Sequence, residues 1–209
     1  MADVTIPLKP NSDRTIVFAE DKVSSGGVTV RYDTILGVTF YAGYKSNRFL
    51  DQSAGVLILR SAPTRLKIVI RNFSFWGHDV SKVSNYAQIC EEVMTRIAPH
   101  VLRRLAMGIL NGRTVTIGSL SIDSARVTCA GRFGGRRRAT WDLSPEVRTT
   151  IKDRWYVATT QSGILEISYF YPPTGRMIVV GSATSRDENG CLLPTLIRFM
   201  TALPKSSNA

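Results

Sequence analysis

Histidine, cysteine and acidic side chains are all scarce in this chain of 209 residues, and each scarcity closes off a class of chemistry. The two histidines, His78 and His100, have no cysteine or second histidine at metal-ligand spacing, so no metal centre is expected. Cys90, Cys129 and Cys191 are odd in number and far apart, which argues against a disulfide framework and for a reducing compartment. No apolar run approaches the roughly 20 residues of a membrane-crossing helix, and the N-terminus, MADVTIPLKP, lacks a signal-peptide core. A soluble cytoplasmic protein is the resulting expectation. Phosphate-cradling GxxxxGK[ST] and GxGxxG patterns are missing as well. Hydrolytic triads are restricted to the two histidines. His100 falls in a helical pattern beside Arg103 and Arg104 and reads as a polar-face residue; His78, in FSFWGHD next to Asp79, reads first as a turn residue. With no cofactor and no catalytic motif in view, the chain is expected not to be an enzyme.

Positive charge, in contrast, is abundant. Lysine and arginine number 27 against 16 acidic residues, a formal charge of +11. Such an excess attracts polyanions: nucleic acid, an anionic membrane surface or an acidic protein. It is spread evenly, +5 up to Leu110 and +6 beyond, so there is no dedicated basic arm. The 44% hydrophobic content is that of an ordinary globular protein, and the length suits one large domain or two small ones.

The chain reads as two halves with one grammar. GGVTVRYDTILGV (26–38) and GGRRRATWDLSPEV (134–147) each run from a Gly-Gly turn through a short strand into an aromatic-Asp pair, Tyr32-Asp33 and Trp141-Asp142. GVLILR from Gly55 and GILEISYF from Gly163 follow at matching distances, and each precedes another strand, RLKIVIRN (65–72) and GRMIVVGSA (175–183). The offset is about 108 residues throughout. β-Branched and aromatic enrichment between Gly, Pro, Asn and Ser marks the strands. TVTIGSLSI (114–122) reads as one strand bent at Gly118, and LKIVI (66–70) as a strand half-buried on both faces.

Each half closes on a helical pattern. Tyr86, Ile89, Val93, Ile97, Val101, Leu105 and Ile109 recur in steps of three and four, giving one apolar stripe from about Ser84 to Leu110. Pro99 crowds the carbonyl of Thr95, so a kink or break is expected near Ala98. The second helix spans about Pro194 to Leu203, with Leu196, Ile197, Met200 and Leu203 inward.

Strand order, the GRTVTIGSLSID opening, the aromatic-Asp pair, the GILEI strand and the terminal helix together resemble bacterial pleckstrin-homology-like domains, two in tandem, from about Thr15 to Leu203. The resemblance implies an α+β fold in which each antiparallel sheet, a partly open barrel, is capped by a C-terminal helix. Domain one would span 13–110 and domain two 111–204, with tails at 1–12 and 205–209. The implied function is a non-enzymatic binding or scaffolding module for a protein partner or for self-association, through sheet edges, loops or the groove beside the helix. Phe73, Phe75, Trp76 and Tyr171, in the stretches RNFSFWGHDV and FYPP, are the candidate anchors. The alternative is a polyanion site for anionic phospholipid headgroups or nucleic acid, formed by Arg132, Arg136, Arg137 and Arg138. On an extended strand Arg136 and Arg138 point one way and Arg137 the other, so the expected grouping is Arg136 and Arg138 with Arg132 across the turn. The first half has Val28-Thr29-Val30 at the place of the three arginines.

Overall fold

The computed structural model describes residues 2–8, 13–46, 51–62, 64–74, 84–130, 136–152, 162–184 and 186–203. The chain divides into two compact units, Met1–Val101 with Lys152–Ser162, and Leu102–Ile151 with Gly163–Ala209. The boundary falls inside a helix after Val101, earlier than the sequence suggests.

In the first unit, β1 (Val4–Pro7), β2 (Thr15–Phe18), β3 (Lys22–Ser25) and β4 (Val28–Arg31) form a four-stranded antiparallel meander. Residues 4–7, expected in a terminal tail, are thus its first strand. Alternation builds the sheet: the cross-strand row Val4, Phe18, Val23 and Val30 faces the core, while Thr5, Val17, Ser24 and Thr29 form the outer row. Gly26 and Gly27, both at positive φ, make the tight turn between β3 and β4. A second sheet of β5 (Ile35–Ser46), β6 (Asp51–Ser61) and β7 (Arg65–Ser74) follows. On β7, Leu66, Ile68 and Ile70 are buried and Lys67 is exposed, a cleaner alternation than expected from LKIVI.

The helical stripe is present as read. α1 (Ser84–Glu92) and α2 (Ala98–Leu110) are joined by one π-helical turn, Val93–Ile97. Pro99 therefore does not break the helix: the widened turn just before it absorbs the misfit, and Ala98 keeps helical φ and ψ while its N–H bonds the Val93 carbonyl. Tyr86 lies flat against Gly55 of β6, where any side chain would collide with its ring, and its hydroxyl donates to the Val56 carbonyl at 3.2 Å.

Arg96 sits in the π turn and is almost fully buried. Its Nε meets Glu92 Oε2 at 2.6 Å, one helical turn earlier. Nη2 donates to the Ala2 carbonyl at 2.7 Å and Nη1 to the Ala19 carbonyl at 3.1 Å. One guanidinium thus ties the helix to the start of the chain and to the β2–β3 turn. Ala19 also accepts from the Tyr32 hydroxyl at 2.8 Å. Tyr32 opens a 3-10 turn, Tyr32–Thr34, and its phenol is pushed up to about 12, first by burial.

The second unit repeats the plan. β8 (Val115–Ile117), β9 (Leu120–Ile122), β10 (Arg126–Ala130) and β11 (Arg136–Thr140) form a four-stranded sheet; β12 (Glu146–Lys152), β13 (Ser162–Tyr171) and β14 (Arg176–Thr184) form a three-stranded one; α3 (Leu193–Ala202) closes it. Residues 114–122 are a hairpin rather than a bent strand, because Gly118 at φ +59° turns β8 back as β9. Trp141 opens the 3-10 turn Trp141–Leu143, and its Nε1 donates to the Asp123 carbonyl at 3.1 Å. This matches Tyr32 and Ala19, down to the turn that supplies the acceptor. Ala19 N bonds Lys22 O, and Asp123 N bonds Arg126 O. Leu192, Leu193, Leu196, Ile197 and Met200 of α3 and its lead-in are buried, as are Ala106 and Ile109 of α2. The α+β class read from the sequence is observed.

Two outcomes test the first unit's latch. Arg96→Met strands a mostly buried Glu92 and the Ala2 carbonyl, and is expected to cost about 3–5 kcal/mol in urea unfolding, with Glu92→Leu on the same chain recovering part of it. Tyr32 has a folded-state value of about 12 against an ordinary 10. Its contribution is therefore complete below about pH 10 and is lost as pH rises toward about 12. The urea midpoint of the wild type should fall over that window more steeply than that of Tyr32→Phe.

Candidate functional site

β10 and β11 present the arginine run in a fixed register: Thr128 opposite Arg138, Cys129 opposite Arg137 and Ala130 opposite Arg136. Val127 and Ala139, a matched pair, are fully buried, which defines the inner face. Arg137 stands two residues from Ala139 on that face but at its exposed rim, where Nη1 donates to the Val179 carbonyl of β14 at 3.3 Å. Arg138 is exposed on the outer face, at the end of the cross-strand row Thr116, Ser121, Thr128 and Arg138. The pleat therefore separates Arg137 from Arg138, and the two do not converge on one ligand. The grouping of Arg136 and Arg138 with Arg132 is not described: Arg132 lies outside the described residues, and Arg136 is described only as a strand position. Arg126, also exposed, stands 3.8 Å from Asp123.

The three-stranded and the four-stranded sheet of this unit approach closely at Gly181 of β14. A Cβ there would stand 2.6 Å from the Cys129 side chain, so the glycine is what lets the strands meet. Cys129 Sγ lies 3.4 Å from Ser119 Oγ, and burial pushes the Cys90 thiol up, away from thiolate chemistry at neutral pH.

The aromatic candidates separate in the same way. Phe73 is a strand residue of β7 opposite Gln52, not a loop residue. Phe75 and Trp76 lie outside the described residues, as does His78. Tyr171 is the last residue of β13, not part of a loop, and is 37% exposed; its ring meets Tyr169 edge-on at 6.5 Å. Beside it Phe170 is 54% exposed, and opposite Phe170 stands Met177, 38% exposed. His100 is exposed, with its ring 6.1 Å from Tyr32.

One feature of the second unit is not apparent from the sequence alone. A groove of about 480 Å³ runs between the start of β12 and α3, lined chiefly by Ser144, Pro145, Val147, Ile197, Arg198 and Thr201. Its wall begins with Ser144 in the left-handed conformation, φ +48°, followed by buried Pro145. The trace of it in the sequence is a substitution: Ser144-Pro145 stands where the first half has Ile35-Leu36, already in its strand, so the strand after Trp141 starts only at Glu146.

Counted back from the aromatic that ends each strand, rather than forward from the Gly-Gly pair, Arg137 falls at the place of Val28 in the first unit, so the fold does not need a cation there. Arg137→Val is expected to shift stability by less than about 1 kcal/mol in a thermal melt, as for an exposed substitution outside the core; a larger loss would make the arginine a structural residue. No family model, curated protein or solved structure matches this chain.

Proposed function

We propose that the protein is a tandem pair of pleckstrin-homology-like domains serving as a protein-binding module, and that its second unit takes an extended partner segment between β12 and α3. The plan of four strands, three strands and a closing helix, repeated twice, supports the domain reading. The observation that carries the function is the groove itself, because its wall is an edge strand: β12 lies at the end of the order β12-β13-β14. An added strand can bond to such an edge through its main chain, while pockets beside it select alternate side chains.

The lining suits this use. Ile197 and Val147 supply an apolar floor; Glu146 and Arg198, both exposed, carry opposite charges that orient a bound segment. Thr201 Oγ1 is bonded to the Ile197 carbonyl within α3, so Thr201 contributes chiefly its methyl group. The volume lies within the range of roughly 300–1,000 Å³ common to ligand sites.

Panning a random-peptide display library on the whole protein tests the reading. Enriched peptides are expected to bind the wild type and to lose about tenfold or more on Ala202→Trp, which fills one end of the groove. Enriched peptides that bind Ala202→Trp and Arg198→Glu as well as the wild type would place recognition elsewhere.

A further inference from the structure

The hairpin joining β13 and β14 is unlike its counterpart in the first unit. From Gly55 to Arg65 the first half turns through Arg60, Ser61, Ala62, Pro63 and Thr64, with Ser61 N bonded to Thr64 O. From Gly163 to Arg176 the second half takes three residues more, and its turn reads Tyr169-Phe170-Tyr171-Pro172-Pro173-Thr174-Gly175. Where Arg60 faces Arg65 at the turn of one repeat, Tyr171 faces Arg176 in the other, with Phe170 facing Met177 one pair further in. The fold closes this turn with polar residues in one unit, so the apolar tip in the other is an addition to the fold.

Burial shows what the addition does. Deeper in the hairpin Leu165, Ile167, Val180 and Ala183 are buried, as strand alternation against a core requires. Beyond Ser168 that stops: Phe170 and Met177 are exposed on one side of the ribbon, and Tyr171 with half-buried Tyr169 on the other. The tip is apolar on both sides: Phe170 and Met177 are exposed on one, and on the other Tyr169 packs partly against the core while Tyr171 stands exposed. Its backbone carries few free donors. Pro172 and Pro173 have none, Gly175 N is bonded to the Tyr171 and Pro172 carbonyls at 3.1 Å, and Thr174 Oγ1 is bonded to Tyr171 O. Transfer into a medium of low polarity is correspondingly cheap. The flanks are cationic: from Ile167 to Arg186 there is no carboxylate, Arg176 stands opposite Tyr171, and Arg137 reaches β14 at Val179.

We propose that this hairpin, Tyr169–Ile178, is a membrane-docking element that inserts Phe170, Tyr171 and Met177 into the interfacial layer of an anionic bilayer, with Arg176, beside Tyr171 at the turn, extending its guanidinium back to the lipid phosphates and Arg137 held behind the tip. Tyrosine and phenylalanine at the boundary, with one arginine beside them and one behind, are a composition that interface favours. The charge of +11 supplies the long-range attraction. A nucleic-acid platform would need its aromatic faces on one side of the sheet, whereas here they lie on both. A bilayer accepts both sides at once. The proposal is independent of the β12–α3 groove.

The test is sedimentation of the whole protein with extruded vesicles. Binding to phosphatidylcholine–phosphatidylserine vesicles is expected, weaker at high salt and much weaker to phosphatidylcholine alone. Phe170→Ser with Met177→Ser should reduce it about tenfold or more, and Arg137→Ser with Arg176→Ser should reduce it on anionic vesicles only. Tyr171→Trp should gain fluorescence that brominated lipid quenches, which distinguishes insertion from adsorption. The five replaced side chains are on the surface, and an unchanged melt confirms folding of each variant. No sedimentation of the wild type, or equal sedimentation of the Phe170→Ser, Met177→Ser variant, would overturn the proposal. Tip-dependent binding of poly(U) RNA or tip-dependent self-association, without vesicle binding, would overturn it in favour of those occupants.

Discussion

Each unit depends on one aromatic side chain whose polar end reaches a backbone carbonyl in a hairpin turn. Tyr32 does this to Ala19 and Trp141 to Asp123. The constraint is physical. The aromatic ring must be buried to seal the sheet where the fourth strand gives way to the 3-10 turn, yet a buried hydroxyl or indole N–H needs a partner. The turn carbonyl supplies it, and in doing so locks the second and third strands of each sheet to the crossing point between sheets. In the first unit Ala19 carries a second donor, Arg96, which extends the lock to the helix and to Ala2. Tyr32 and Arg96 therefore share an acceptor, and the two contributions are not additive.

That shared frame makes the differences between the units informative. The first unit closes with polar residues at its β6–β7 turn and valine at position 28. The second has arginines on β11, a Ser-Pro pair that delays β12 and lines the β12–α3 groove, and an aromatic hairpin extension. Arg137, Arg138, Ser144, Phe170 and Tyr171 among these departures are exposed, whereas Pro145 is buried. Most residues that distinguish the units are thus not those that fill the core of the shared plan.

The sequence announced the frame more clearly than the sites. Alternation and glycine turns marked the strands, and the stripe from Tyr86 to Ile109 marked the helix, because these are local periodicities. Pro99 was legible as a disturbance but not as a π turn, since the choice between kink and bulge depends on what the turn packs against. β1 was missed: Val4–Pro7 is too short to show a period, and its pairing with β2 crosses a seven-residue connection. Arg96 gave no signal at all. An arginine amid an amphipathic helix reads as solvent-facing, and its burial follows from the carbonyls of Ala2 and Ala19, which only the tertiary fold brings to it. The arginine run drew attention by composition, while the pleat divides Arg137 from Arg138. The groove needed the helix and strand to be placed before it existed.

The central claim is that Tyr32 and Trp141 are equivalent latches, each serving its own unit. Native-state hydrogen exchange on Tyr32→Phe and Trp141→Phe tests it most directly. Tyr32→Phe is expected to release amides of β2–β4 by about 1–2 kcal/mol and leave β9–β11 protected, with the reverse for Trp141→Phe. Equal loss of protection across both units in either variant, or no loss in either, would contradict it.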